Sequence, residues 1–144
     1  MVKVARLEPE VSVSPQLTDA DFAEIAAQGF RSVVNNRPDG ESPGQLTSAE
    51  AEAAARRHGL EYRYQPVTYP ILTDDETVAA FARLRDELPG PILFYCRSGT
   101  RCASLWAQAS AGRLGVARTL ETAAAAGYDL DGLRLRLQER AGES

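Results

Sequence analysis

One stretch of the sequence combines residue types and spacing that suit nucleophilic chemistry. An apolar run, Ile92–Tyr95, follows a Pro-Gly-Pro sequence and leads into the segment CRSGTR, Cys96–Arg101, after which the sequence becomes rich in alanine. Four β-prone apolar residues predict a short buried strand of a parallel sheet, and the alanine-rich segment predicts a helix. We therefore expect the CRSGTR segment to be a tight loop between the end of a strand and the beginning of a helix.

A cysteine in that position is well placed to act as a nucleophile. Backbone N–H groups converge at a helix N-terminus and the helix dipole favours negative charge, so Cys96 should be stabilised as a thiolate. Arg101 adds a fixed cation with a planar set of donors, and Gly99 lets the backbone turn close to a bound group. A cysteine is often only a small buried apolar residue, but the strand–Cys–x4–Arg–helix pattern favours the catalytic interpretation.

These residues carry a family resemblance. The CRSGTR segment resembles the active-site loop of rhodanese-type sulfurtransferases, and the strand–Cys–loop–Arg–helix pattern more broadly resembles tyrosine and dual-specificity phosphatases. Three upstream segments resemble the phosphatase-like domain of the beta-lactamase hydrolase-like proteins: Ser14–Thr18, Gly29–Glu41, and Gly59–Tyr62 followed by Gln65–Val67. The resemblance extends over roughly residues 11–130. It implies a tyrosine-phosphatase-like fold, and some relatives are fused to a persulfide-oxidising domain.

Length and composition favour a single soluble domain. The 144 residues are 44% hydrophobic and 25% charged, which is ordinary for a globular protein that buries its own core. The net charge of −4 argues against nucleic acid or an anionic membrane surface as a partner. Two cysteines, Cys96 and Cys102, form neither a disulfide framework nor a zinc-ligand pattern. With no predicted signal peptide or transmembrane segment, we expect a cytoplasmic protein without metal or cofactor.

The alternation of strands and helices predicts a single-domain, three-layer α/β sandwich with about four parallel strands flanked by helices. We assign residues 11–141 to this domain and residues 1–10 to a poorly packed N-terminal arm. Thr18 and Thr47 are each followed three residues later by an acidic residue, the pattern of a helix start. Arg37 lies in a turn after a predicted strand, so in a parallel sheet it should lie at the same edge as Cys96.

Several other residues are candidates for accessory roles. The resemblance to phosphatases makes Arg37 a candidate substrate-side or loop-bracing residue, and makes Asp74 or Asp75 a candidate general acid. Helix capping is the simpler explanation of both aspartates. The only histidine, His58, is interpreted as a helix cap. Cys102 is either a small core residue, which we favour, or a resolving thiol that forms a disulfide with oxidised Cys96.

Loop length and the residue before the cysteine guide the choice of activity. Four residues separate Cys96 from Arg101, as in rhodaneses, whereas tyrosine phosphatases have five; Tyr95 also replaces the histidine usual in phosphatases. A shorter loop should form a smaller ring of N–H groups, which suits a single sulfur atom better than a phosphate ester. The favoured activity is therefore sulfurtransferase, with a sulfane sulfur carried as a Cys96 persulfide.

In that reaction, sulfur passes from a small anionic donor, thiosulfate or glutathione persulfide, to a thiol acceptor, and sulfide-oxidation enzymes are candidate partners. The anion would be bound by the loop, through Arg97, Ser98, Gly99 and Thr100, and by the Arg101 side chain. The first alternative is a cysteine-dependent phosphatase that acts on a phosphate ester through a phosphocysteine. The second is a module that binds an anion without turnover.

Overall fold

A five-stranded, mostly parallel sheet with strand order β1-β2-β5-β3-β4 lies at the centre of the computed structural model, which describes residues 1–143. The strands are β1 (Ala5–Glu8), β2 (Val11–Ser14), β3 (Ser32–Asn35), β4 (Glu61–Tyr64) and β5 (Ile92–Tyr95). The helices are α1 (Asp19–Ala27), α2 (Ser48–Arg57), α3 (Asp75–Glu87), α4 (Thr100–Leu114), α5 (Val116–Ala125) and α6 (Arg134–Ala141). Strands β2, β5, β3 and β4 are parallel, which confirms the predicted single-domain α/β fold.

Helices cover both faces of the sheet and create two apolar cores. Phe22 and Ile25 of α1 pack with residues of α2 on one face, whereas Phe81 of α3 and Trp106 of α4 belong to the core on the other face. The connections from β2 to β3 and from β3 to β4 cross the sheet in one direction, and the connection from β4 to β5 returns. Right-handed crossovers then require α1 and α2 on one face and α3 on the opposite face, as observed.

The N-terminal residues are more ordered than the sequence predicted. Ala5–Glu8 form β1, which pairs antiparallel with β2, so the prediction of a poorly packed arm is wrong for these residues. Glu8 also accepts a hydrogen bond from Trp106 Nε1 at 2.8 Å. A single buried apolar residue, Leu7, is too weak a sequence signal to predict a strand. β1 forms because the edge of β2 offers backbone N–H and C=O groups that need hydrogen-bond partners.

Strand register brings the ends of the three central strands to one level. Ser14 of β2, Tyr95 of β5 and Asn35 of β3 lie opposite one another. Beyond this point β5 continues into α4 on one face, while its neighbours β2 and β3 continue into α1 and α2 on the other. The segments that follow these strands thus diverge to opposite faces of the sheet beside Cys96. Open α/β sheets typically bind ligands in the crevice that such a divergence creates.

No helix within residues 1–143 combines the length and the apolar character needed to cross a membrane.

We predict that Phe81→Ala lowers the free energy of unfolding by about 3–5 kcal/mol, because it removes a large side chain from a closed core. The Phe81 side chain is fully buried, and its ring centroid lies 4.3 Å from that of Phe94 on β5. Leu135→Ala is the control, since Leu135 is 74% exposed and its loss should change stability by at most about 0.5 kcal/mol. Urea titration measures both variants; equal effects would contradict the assignment of Phe81 to the core.

Candidate active site

The loop after β5 wraps around the sulfur of Cys96. Cys96 is fully buried at the end of the strand, and the Gly99 N–H donates a hydrogen bond to its Sγ at 3.2 Å. Gly99 has φ +93° and immediately precedes α4, so the left-handed turn that aims this N–H at the sulfur requires glycine. A Cβ at this position would also collide with the Tyr128 side chain.

The surroundings of Cys96 favour its ionised form. Its pKa is lowered to about 6, first by a hydrogen bond from the Cys102 thiol and then by the backbone N–H groups of Cys102, Gly99 and Arg101. Burial acts in the opposite direction but is outweighed. Cys96 is therefore mainly a thiolate at neutral pH, which is the reactive form of cysteine.

Cys102 can donate its thiol proton to either of two acceptors. Its Sγ lies 3.2 Å from Asn36 Oδ1, and it is also placed to donate to Cys96. A thiol has one proton, so the two hydrogen bonds cannot coexist; because bonds to a charged acceptor are stronger, the proton should turn towards Cys96 once Cys96 is ionised. Burial raises the pKa of Cys102 well above its usual value, so Cys102 remains protonated and can serve as this donor.

The guanidinium of Arg101 lies beside Cys96, and most of its N–H donors are used in hydrogen bonds. Nη1 and Nη2 donate to the two carboxylate oxygens of Glu41 at 2.8 and 2.7 Å, and Nη1 also donates to the Val67 carbonyl at 2.9 Å. Nε is buried and has no hydrogen-bond partner among residues 1–143. The hydrogen bonds to Glu41 and the opposite charge of the Cys96 thiolate raise the pKa of Arg101, which places the nucleophile and the guanidinium in one electrostatic environment.

Glu41 fixes the orientation of Arg101 and is itself fixed by Arg37. Arg37 Nε donates to Glu41 Oε1 at 3.0 Å, and its two other nitrogens donate to Gln16 and Ser42. The hydrogen bond from Arg101, together with that from Arg37, lowers the pKa of the Glu41 carboxyl to about 2 despite partial desolvation. Glu41 is thus a permanent carboxylate that cannot donate a proton near neutral pH.

The remaining loop residues line the outer side of the turn. Arg97 and Ser98 are exposed, and the Ser98 hydroxyl donates to Thr100 Oγ1 at 3.0 Å. The Arg97 carbonyl accepts from the Gln16 N–H at 3.2 Å, and the Ser98 carbonyl accepts from the Tyr128 hydroxyl at 3.2 Å. The loop is therefore held from both sides by other parts of the chain.

Of the two aspartates proposed as general acids, Asp75 forms an ion pair with Arg140, and Asp74 lies at the start of α3. Asp75 pairs with Arg140 at 3.0 Å, and Arg140 also contacts Gln108, which is two turns further along α4 than Arg101, or about 10 Å. Asp74 immediately precedes α3, and its side chain makes no capping hydrogen bond. The sequence pattern could not reveal the Asp75–Arg140 pair, because its two members are 65 residues apart in the chain.

Three contributors to the site, Glu41, Gln16 and Asn36, were not identified from the sequence. Each follows the end of β2 or β3, the two strands that neighbour β5, and this position is the signal that could have found them. Arg37 and Cys102, both predicted as accessory residues, do lie in the same network as Cys96 and Arg101. Within residues 1–143 there is no group of three or more histidine, cysteine, aspartate or glutamate side chains able to hold a metal ion.

Taken together, the site combines a Cys96 thiolate, backbone N–H groups that stabilise it and a guanidinium nitrogen of Arg101 that has no partner among residues 1–143. Such an arrangement can bind a small tetrahedral anion and bring its central atom to the sulfur. The carboxyl group of Glu41 stays ionised and therefore has no proton to transfer near neutral pH.

Proteins of known sequence and structure resemble this chain over most of its length. The chain is 36% identical over 105 residues to the beta-lactamase hydrolase-like protein of Agrobacterium fabrum, a match over 73% of this chain and 24% of that protein. It superimposes on the crystal structure of a candidate phosphatase from Neisseria meningitidis with a TM-score of 0.88 and 33% identity, covering 97% of this chain and 99% of the other.

A more distant structure shares the fold. TpbA of P. aeruginosa, solved with phosphotyrosine, superimposes with a TM-score of 0.60 and 19% identity over 94% of this chain and 90% of that one. The chain spans about a quarter of the length of the curated relatives that it matches.

The family match covers most of the chain and includes the whole candidate site. Residues 3–113 match the family described as beta-lactamase hydrolase-like protein, phosphatase-like domain, and this range contains both Cys96 and Arg101. The chain therefore belongs to the family of phosphatase-like domains of the beta-lactamase hydrolase-like proteins.

Proposed function

We propose that this chain is a cysteine-dependent phosphatase that hydrolyses a phosphate monoester through a phosphocysteine on Cys96. The observation that carries the proposal is the buried, unpartnered Nε of Arg101 beside the Cys96 thiolate, which offers a donor to an oxygen of a bound anion. The phosphatase-like family and the phosphatase structures that share the fold support the same class of reaction.

This proposal replaces the sequence-based preference for sulfurtransferase. That preference assumed that four residues between Cys96 and Arg101 make a small ring, but the backbone N–H groups of Arg101 and Cys102 also contribute to lowering the pKa of Cys96. The helix start therefore enlarges the set of donors beyond the loop itself, and the spacing does not restrict the ligand to one sulfur atom. The comparisons give no support to thiosulfate, glutathione persulfide or sulfide-oxidation enzymes as partners, and we do not retain them.

In the first step, Cys96 Sγ attacks the phosphorus of the bound ester. The S–P bond forms while the P–O bond to the leaving group breaks, and the leaving oxygen departs with the bonding electron pair. Loop N–H groups and the Nε of Arg101 stabilise the equatorial oxygens of the transferring phosphoryl group. The leaving oxygen then takes a proton from solvent, because Glu41 carries none.

In the second step, water attacks the phosphorus of the phosphocysteine. The S–P bond breaks, inorganic phosphate leaves, and the same donors that lower the pKa of Cys96 make its thiolate a good leaving group. The Glu41–Arg101 pair keeps the guanidinium in one orientation throughout, so no reorganisation is needed as charge develops.

A side-by-side assay tests the proposed activity. The wild-type protein should hydrolyse 4-nitrophenyl phosphate, and Cys96→Ser should abolish this hydrolysis because the serine hydroxyl is not ionised at neutral pH. A phosphocysteine should be trapped by rapid acid quench and detected by mass spectrometry. Thiosulfate:cyanide transfer is the comparison reaction. Transfer without phosphate hydrolysis would restore the sulfurtransferase interpretation, and phosphate binding without either turnover would indicate a binding module.

The pH dependence of alkylation should report the lowered pKa of Cys96. Iodoacetamide reacts with the thiolate, so labelling of Cys96 should be fast at neutral pH and should fall as the pH drops through about 6. Cys102→Ala removes the strongest stabilising donor and should shift the midpoint upward, whereas Cys102→Ser keeps a donor and should shift it less. A midpoint near the free-cysteine value of about 8.5 in the wild type would contradict the assigned thiolate.

Glu41→Gln should lower kcat/KM for 4-nitrophenyl phosphate by about tenfold, equivalent to about 1.4 kcal/mol of transition-state stabilisation. The substitution removes the charge that anchors both Arg37 and Arg101, so the Arg101 guanidinium loses its fixed orientation. Glu52→Gln is the matched control, because Glu52 pairs with Arg56 on the exposed surface of α2 and should leave kcat/KM unchanged. Equal activity of the two variants would show that the orientation of Arg101 does not depend on Glu41.

A further inference from the structure

One tyrosine from the connection between α5 and α6 contacts the peptide group that links Ser98 to Gly99. The Tyr128 hydroxyl donates to the Ser98 carbonyl at 3.2 Å, and the Tyr128 side chain packs directly against Gly99. The other end of the same peptide group is the Gly99 N–H, which donates to Cys96 Sγ at 3.2 Å. A continuous chain of hydrogen bonds therefore runs from Tyr128 through one peptide group to the sulfur. The reaction described above assigns no role to Tyr128.

The geometry of a trans peptide makes this contact directional. The C=O and N–H of one peptide group point in nearly opposite directions, so a bond that holds the Ser98 carbonyl also fixes the direction of the Gly99 N–H. Gly99 has φ +93°, and glycine adopts several backbone conformations at little cost, so the turn by itself does not lock this direction. The side chains of Arg97 and Ser98 are exposed and add little packing. The Tyr128 hydroxyl supplies the restraint and, because linked hydrogen bonds polarise one another, makes the N–H a stronger donor.

The C-terminal end of α5 places Tyr128 against the loop. Gly127 follows the helix with φ +100°, its N–H donates to the Ala124 carbonyl at 3.0 Å, and the Tyr128 N–H donates to the Ala123 carbonyl at 2.9 Å. This pair of bonds is a Schellman motif, which sets the direction in which the chain leaves a helix. Ala123 is fully buried in the core that α5 shares with α4. Tyr128 is thus held by a helix that packs on the same core as the helix after the loop.

Tyr128 stays protonated and can serve as a permanent donor. Burial raises the pKa of Tyr128, and the negative charges of the Cys102 and Cys96 sulfurs raise it further. The other titratable or charged groups around Cys96 are Cys102 and Arg101 of α4, and Glu41, which pairs with Arg101. None of these three groups contacts the Tyr128 hydroxyl through a recorded hydrogen bond within residues 1–143, so removal of that hydroxyl leaves their own bonds in place.

Resting on the proposed phosphatase activity, we propose that Tyr128 is a positioning residue that aims the Gly99 N–H at Cys96 by holding the Ser98–Gly99 peptide group. In the free site this N–H stabilises the thiolate, and during transfer the same restraint keeps it available to the oxygens of the phosphoryl group. Tyr128 acts through the peptide group alone: it does not contact the substrate and transfers no proton.

Tyr128→Phe tests the proposal because it keeps the ring and removes only the hydroxyl. The midpoint of Cys96 alkylation by iodoacetamide should rise by about 0.4–1 pH unit, the size of one neutral hydrogen bond. At a pH above the midpoints of both proteins, kcat/KM for 4-nitrophenyl phosphate should fall by about 2- to 12-fold. Leu130→Val is the matched control, since it trims a buried side chain of the same connection and should lower stability without changing the midpoint or kcat/KM.

Nuclear magnetic resonance follows the Gly99 amide itself. In isotope-labelled wild-type protein the Gly99 amide resonance should move as Cys96 ionises, and Tyr128→Phe should reduce this movement because the N–H is no longer aimed at the sulfur. The alkylation and resonance measurements need no turnover, so they support the inference even if no phosphate ester is hydrolysed, in which case the proposed function alone fails. An unchanged midpoint or an unchanged Gly99 titration in Tyr128→Phe, wild-type kcat/KM in that variant, or an equal midpoint shift in Leu130→Val would each overturn the inference.

Discussion

The buried guanidinium of Arg101 is the constraint on which the site depends. An arginine cannot lose its charge in a protein, so its burial requires compensation by opposite charge and by acceptors with matching geometry. Glu41 supplies both through a bidentate pair, and the Val67 carbonyl supplies a further acceptor. Each comes from a different segment that follows a strand, so satisfying one cation fixes the positions of two loops relative to the third, which carries Cys96.

Charges in this network alternate and sum to zero. Arg37 and Arg101 are positive, Glu41 and the Cys96 thiolate are negative, and each charge lies next to one of opposite sign. The thiolate can exist in a buried position because hydrogen-bond donors outweigh burial: burial alone would raise the pKa of Cys96, and the Cys102 thiol and the backbone N–H groups reverse that tendency. Among residues 1–143, the buried Arg101 Nε has no hydrogen-bond partner and is available to a bound anion.

Two sulfur atoms share one hydrogen-bonding system behind the loop. Cys102 remains protonated because it is buried, and its proton can follow the charge of Cys96 while Asn36 serves as the alternative acceptor. This dual arrangement lets the neutral and ionised forms of Cys96 both be accommodated without an unsatisfied donor. It gives Cys102 more than the packing role favoured from the sequence, although the residue is also fully buried between α4 and the sheet.

Much of the site follows from local sequence, because its chemistry is built from consecutive residues. An apolar run, a cysteine, a glycine and a helix start determine that N–H groups converge on Cys96, and the structure bears out this strand–loop–helix arrangement. The general fold was also predictable from the alternation of strands and helices. These features depend on backbone geometry over a few residues, which residue type strongly limits.

Only the tertiary structure decided which distant groups meet that loop. Glu41 and Arg101 are 60 residues apart, and their pairing depends on strand order and register, which no local pattern encodes. The same dependence placed Asp75 against Arg140 rather than beside Cys96, and put Tyr69 over the guanidinium. The donors that lower the pKa of Cys96 include backbone N–H groups of the helix start, Arg101 and Cys102, which the number of residues between Cys96 and Arg101 does not reveal.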